Sequence, residues 1–266
     1  MRLASRIFGR ARFVARRVWP APARAWVRRA IEKAGNEQPT RLRLREAIRA
    51  CGSQRKVIIG AGATALVGWV ATEYPLVDIT DLNSLMCWFQ IGSVQAFLAE
   101  HVWEHLMPDL ALAAAVNCYQ LLVPGGHLRV AVPDGFHPDP KYLDHVKPGG
   151  TGPGCEDHQV LYTYRTLVEL LEAAGFDVCL LEWFDEEGQF HFREWDPNDG
   201  FVCRSTRYDE RNAHDPTAYT SIIADAVKPG GRSAVPPTRC HKPYARRASS
   251  PSGAPGRSGT ISSRTA

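Results

Sequence analysis

No run of apolar residues in the 266-residue sequence approaches the roughly 18 needed to span a bilayer. There is no Cys-x-x-Cys pair either. The seven cysteines (Cys51, Cys87, Cys118, Cys155, Cys179, Cys203 and Cys240) are odd in number and scattered. They suggest neither a disulfide framework nor a cysteine zinc site, and a reducing compartment is the expectation. Acidic residues are missing from both ends. Residues 1–31 hold nine arginines and no acid, and residues 228–266 hold eight Lys or Arg and no acid. The net charge of +4 therefore conceals a middle stretch, 32–227, with 15 basic residues against 28 acidic ones. Such a surface repels phosphates, which argues against a nucleic acid as its partner.

What is present divides the chain into three parts: 1–39, 40–227 and 228–266. In the first, Leu3, Ile7, Phe13, Val14, Val18, Trp26 and Val27 lie among the arginines, and Pro20 and Pro22 break the pattern into two pieces. This basic amphipathic arm suits peripheral contact with an anionic membrane surface, a targeting peptide, or a loosely ordered solvated arm. The last part is rich in Pro, Gly, Ser and Arg and lacks apolar periodicity, so disorder is expected there.

The middle part alternates. Residues 40–51 read as a lead-in helix. Lys56–Ile59 and Trp69–Thr72 read as strands, Leu76–Ile79 as a candidate third, and Val94–Ala99 as a buried strand. Pro108 opens a helix through Leu121, since proline at a first turn removes no needed donor. Pro124-Gly125-Gly126 reads as a sharp turn into the strand Leu128–Val132, followed by a long loop over 134–157. Thr163–Ala174 is a helix ended by Gly175, Asp177–Phe184 a strand, and Tyr219–Val227 a last strand or helix. This order implies an α/β domain on a mostly parallel sheet flanked by helices.

The stretch that carries most information is Lys56-Val57-Ile58-Ile59-Gly60-Ala61-Gly62, then Gly68-Trp69, then Glu73. A buried strand runs into a glycine turn, and a second short strand ends on an acid. Glycines let a ligand approach the backbone, and an acid in that place can hold the two hydroxyls of a ribose.

Further segments keep the same order of parts: Glu100-His101-Val102-Trp103-Glu104-His105-Leu106, Leu121-Leu122-Val123-Pro124-Gly125-Gly126, Val132-Pro133-Asp134, His158 through Tyr164, and Ala173-Ala174-Gly175-Phe176. Together they resemble a class I S-adenosylmethionine-dependent methyltransferase, and more narrowly the small type 11-like bacterial set. The resemblance implies a Rossmann-like sheet in a single domain and S-adenosyl-L-methionine as cofactor. It implies a hydroxyl or amine acceptor on a small molecule or glycan; the cysteine usage and the basic arm add the expectation of a cytoplasmic location that extends to the inner membrane surface. Carried over, it makes Gly60, Ala61 and Gly62 the loop against the cofactor and Glu73 the ribose ligand. Asp78 would lie at the adenine edge, and Glu100 and His101 would border cofactor and substrate. One departure is plain. Six residues separate Gly62 from Trp69, too few for a helix between the first two strands.

Methyl transfer asks a protein mainly for alignment and exclusion of water. A hydroxyl acceptor also benefits from a base, for which His101, His105 and His158 are candidates, with Glu104 as an orienting partner. The catalytic set expected is therefore His101, Glu104 and His158; Tyr162 and Tyr164 are candidate lining, although aromatic residues before a helix are more often core. His101 to His105 also matches the zinc-peptidase pattern His-x-x-Glu-His, with Glu182 at a fitting distance for a third ligand. Its place after a strand and before a Pro-Gly-Gly turn favours the methyltransferase reading, and no metal is expected. The shortened glycine link motivates one more alternative, a non-catalytic module of the same fold.

Overall fold

A computed structural model describes residues 41–53 and 55–230. The amphipathic arm and the Pro/Gly/Ser-rich tail lie outside the described residues, apart from the first few positions of the tail. Helix α1 (Arg41–Ala50) leads in, burying Leu44 and Ile48, which are four apart and so share one face. Then follow β1 (Arg55–Ile59), β2 (Trp69–Ala71), α2 (Leu82–Met86), β3 (Val94–Glu100), α3 (Pro108–Leu121) and β4 (Leu122–Pro133). The rest of the domain is α4 (Pro140–Val146), α5 (Tyr164–Ala173), β5 (Asp177–Phe184), β6 (Phe190–Phe192) and β7 (Ser221–Val227).

Among the described residues, all seven strands form one sheet in the order β2-β1-β3-β4-β7-β5-β6. β2, β1, β3 and β4 are mutually parallel. β7 inserts antiparallel to both β4 and β5, so β5 points the same way as the first four. This is the Rossmann-like, mostly parallel sheet expected. From β1 the chain steps to β2 on one side and to β3 on the other. The carboxyl ends of β1 and β3 therefore flank a topological switch point, where open α/β sheets leave a ligand crevice.

Strand periodicity divides the core in two. Val57, Ile59, Phe97, Ala99, Val130 and Val132 face the larger core with α1, α3 and α5. Ile58, Leu98, Ala131, Leu181 and Ile223 face the opposite side. That second face is where the missing β1–β2 helix would be felt, because turns over 60–68 make the link instead. The segment 195–206 covers it, burying Trp195 and Val202 against the sheet.

Side chains from the sheet hold this cover mainly by its backbone. Lys56 Nζ donates to Asn198 O at 3.0 Å, and His127 Nε2 lies 2.8 Å from Asp199 O. Arg129 Nη1 donates to Asp196 O and Gly200 O at 3.0 and 2.7 Å. Glu100 accepts from the Cys203 and Arg204 amides at 3.1 and 2.8 Å, and Glu182 from Thr206 N at 2.8 Å. Arg129, 1% exposed, also grips Asp225 through Nε and Nη2 at 2.7 and 2.8 Å.

Three expectations need correction. Leu76–Ile79 is not a strand. The Glu73 carbonyl accepts from Leu76 and Val77 N–H in a turn, and Val77 and Ile79 are buried by core contacts rather than by strand pairing. Pro124-Gly125-Gly126 lies inside β4, where Val94 pairs with Leu122 but Ala96 with His127, so the turn bulges within the strand. The loop 134–157 contains α4, whose start is capped by Asp139 Oδ1 accepting from Lys141 N at 2.8 Å, with Pro140 in the first turn. Tyr219–Val227 resolves as a strand over Ser221–Val227 with all seven residues buried.

Candidate functional site

The turn after β1 is built by close packing. Gly60 has φ +59°, and a Cβ there would lie 2.8 Å from Val102 Cγ2, in the segment that follows β3. Only glycine lets the two sides of the switch point meet this closely. Ala61 N donates to Thr72 O at 3.0 Å, and Thr72 Oγ1 donates to Ile58 O at 2.8 Å, tying the turn to the end of β2. Glu73 Oε2 then accepts from Gly62 N at 2.7 Å. Gly60, Ala61, Gly62 and Glu73 thus come together as expected. Space over Gly62 is open, with no heavy atom within 4 Å of a built Cβ.

Two other expected cofactor residues serve the protein itself. Asp78 Oδ1 accepts from Thr80 N and Thr80 Oγ1 at 2.9 and 2.7 Å, and Asp78 N donates to Ser84 Oγ, which fixes the entry to α2. The Glu100 carboxylate is engaged with Cys203 and Arg204 and anchors the cover rather than opening onto the crevice.

His101 is, among the described residues, the one non-glycine at positive φ, +55°. Histidine is enriched in that region, though a side chain there still carries strain. Its N–H donates to Ala131 O at 2.8 Å, which pins the bend at the end of β3. Nδ1 lies 3.0 Å from Glu104 Oε1 and Nε2 lies 3.1 Å from Ser221 Oγ. The connectivity Ser–His–Glu matches that of a hydrolase triad. Ser221, however, is 0% exposed, so its oxygen meets no substrate. Both ring nitrogens of His101 face protein partners, so the base expected there has no nitrogen left for an acceptor and instead positions Glu104.

Glu104 is 0% exposed, in a short helical turn that also carries His105. Around it gather His105 and the 9%-exposed His158, the two rings edge-to-face with centroids 4.7 Å apart. Burial pushes the Glu104 carboxyl up, but the surrounding histidines outweigh it and bring the pKa down to about 2. Burial lowers His105 to about 4 against the pull of Glu104, leaving a neutral imidazole at neutral pH. Tyr162 and Tyr164 are both buried in the larger core, and Tyr164 Oη donates to Glu186 at 3.1 Å. Of the two readings open for this pair, the core one holds.

The peptidase pattern is not assembled. Glu182 is taken by Trp195 Nε1 and Thr206 N at 2.9 and 2.8 Å, and His101 points to Ser221. The group that forms instead, Glu104, His105 and His158, draws its third member from 53 positions beyond His105. No short pattern in the sequence announces it. What brings His158 there is backbone pairing, the amides of Gln159 and Val160 donating to Glu104 O.

No family model and no curated protein matches the chain. Among solved structures it is similar to a SAM-dependent methyltransferase from Archaeoglobus fulgidus at 14% identity and TM-score 0.39, over 71% of this chain and 94% of that one. It is similar also to phosphoethanolamine N-methyltransferase 2 of Haemonchus contortus in complex with S-adenosyl-L-methionine, at 13% identity and TM-score 0.39, over 83% of this chain and 60% of that one. Likeness at this level fixes neither a family nor a substrate for this chain.

Proposed function

We propose that the chain is an S-adenosylmethionine-dependent methyltransferase acting on a hydroxyl or amine of a small molecule or sugar. The observation that carries this reading is the glycine turn locked by hydrogen bond to the acid ending β2, at the switch point of a Rossmann-like sheet. The open space over Gly62 fits a nucleoside brought close to backbone. The bound cofactor would supply a methyl group on a sulfonium. Gly60, Ala61 and Gly62 would lie against it, and Glu73 would accept from the ribose hydroxyls. With His101 engaged on both sides, the chain contributes alignment and dryness rather than a free base. The arginine-rich first 31 residues support a cytoplasmic protein that touches an anionic membrane surface peripherally.

Calorimetry with S-adenosylhomocysteine tests the reading. Micromolar binding is expected, and Glu73→Ala should weaken it by about 1–3 kcal/mol, the scale of a lost hydrogen bond to a charged group. A folded protein that binds no nucleoside supports the second reading, a non-catalytic module. The short β1–β2 link and the engagement of His101 favour that alternative.

A further inference from the structure

We infer that Glu104, His105 and His158 form a binding site for one divalent transition-metal ion, zinc being the best match. The inference does not depend on the methyltransferase reading, and it departs from the sequence expectation of no metal. One ligand atom from each residue lies within 4.8 Å of the other two. Two imidazoles and a carboxylate are the donors of many zinc sites. Tetrahedral donors at ordinary bond lengths stand roughly 3.4 Å apart, so the set would close by up to about 1.4 Å on an ion.

The surroundings are those of a ligand set already oriented. His158 Nδ1 lies 2.7 Å from Val146 O, which turns Nε2 toward the cluster. A ring nitrogen of His105 bonds the backbone of Asp157. Metal-bound histidines characteristically give their other N–H to such carbonyls, which fixes tautomer and orientation. His101 Nδ1 lies 3.0 Å from Glu104 Oε1, and Glu104 Oε2 has no hydrogen-bond partner among the described residues. A fully buried carboxylate oxygen left in that state is costly, and a cation offsets the cost. Glu104 O also accepts from Gln159 N and Val160 N at 2.7 and 3.3 Å. The two segments bearing the ligands are therefore already fastened to each other.

Three protein donors leave a fourth tetrahedral position for water or a small ligand. The Tyr162 hydroxyl lies near the same cluster. It is buried, lacks a hydrogen-bond partner among the described residues, and is close enough to feel the charge of Glu104.

The test uses the full chain, stripped with a chelator and dialysed. Zinc titration by calorimetry should show one equivalent bound at micromolar Kd or tighter. Cobalt(II) should give the visible absorption of a four- or five-coordinate ion with nitrogen and oxygen donors. His158→Gln and His105→Gln should each weaken zinc by more than ~100-fold, beyond the loss typical of an outer-shell partner. His127→Gln, away from the cluster, should leave the affinity unchanged. A folded wild-type chain that takes up no stoichiometric zinc or cobalt overturns the inference, as do histidine variants that bind like wild type. If those variants fail to fold, the wild-type cobalt spectrum decides: a thiolate charge-transfer band would place the ion on a cysteine and overturn the site. Binding of S-adenosylhomocysteine, measured in parallel on metal-free protein, keeps failure of the metal site distinct from failure of the methyltransferase reading.

Discussion

At position 134 burial and hydrogen bonding pull a carboxylate in opposite directions. Asp134 is 0% exposed, with Oδ1 accepting from Phe136 N at 2.9 Å and Oδ2 from Phe184 N at 2.7 Å. Burial wins and raises the pKa from the ordinary 3.8 to about 6. Between those values the folded chain holds a proton that the unfolded chain has released, so this group's contribution to stability falls as pH rises. The contribution is greatest below the unfolded pKa, and the loss is complete once pH exceeds the folded one. It amounts to on the order of 3 kcal/mol. Urea unfolding of wild type and Asp134→Asn at pH 4 and pH 7 should show wild type gaining about 2–3 kcal/mol on the variant at the lower pH. A difference that stays constant across that range would show that Asp134 is ionised throughout. Single residues were read from sequence with uneven success. Gly60, Gly62 and Glu73 lie where spacing placed them, because a strand, a turn and a short strand are local geometry. That His101 would spend both nitrogens on Glu104 and Ser221 depended on β7, 120 positions away.

Among the elements, those with a start signal and a stop signal were legible. α3 begins at Pro108, as its proline required, and runs to Leu121, where β4 follows without a loop. α5 begins after Thr163, whose side chain accepts from Thr166 N at 3.4 Å while Thr166 Oγ1 accepts from Thr163 N at 3.0 Å. Thr163→Ala removes half of this reciprocal cap. It should cost about 1 kcal/mol and lower Tm by roughly 2–4 °C, with the dependence on denaturant unchanged. No measurable change would mean that solvent satisfies the exposed amides equally well. Elements without such signals were misread. Leu-Val-Asp-Ile has a strand's composition, yet Val77 and Ile79 reach the core from a turn. The three residues of β6 are too few to show a period.

At the scale of the whole molecule, a mostly parallel sheet flanked by helices followed from alternating strands and helices, but the antiparallel insertion of β7 and the covering of the second face did not. That cover hangs on polar groups of which Arg129 is central, with Trp195 over its guanidinium at 4.9 Å from the ring centroid. Arg129→Ala would strand the buried Asp225 and release the carbonyls of Asp196 and Gly200. It should destabilise the domain by about 3–5 kcal/mol. Hydrogen exchange should show protection lost first over 196–206, ahead of the central strands. Uniform loss across the domain would mean that cover and sheet unfold as one unit.

The same cover bears on how such a protein can change. Its sheet seizes amides and carbonyls, which every amino acid brings with it, and few of the stretch's own side chains. Apart from Trp195, Gly200, Val202, Ser205 and the anchoring backbone path, its letters are free to drift while its course stays put. Homologues ought then to agree on the strands and disagree along this strip. A binding preference could be rewritten there without disturbing the frame beneath.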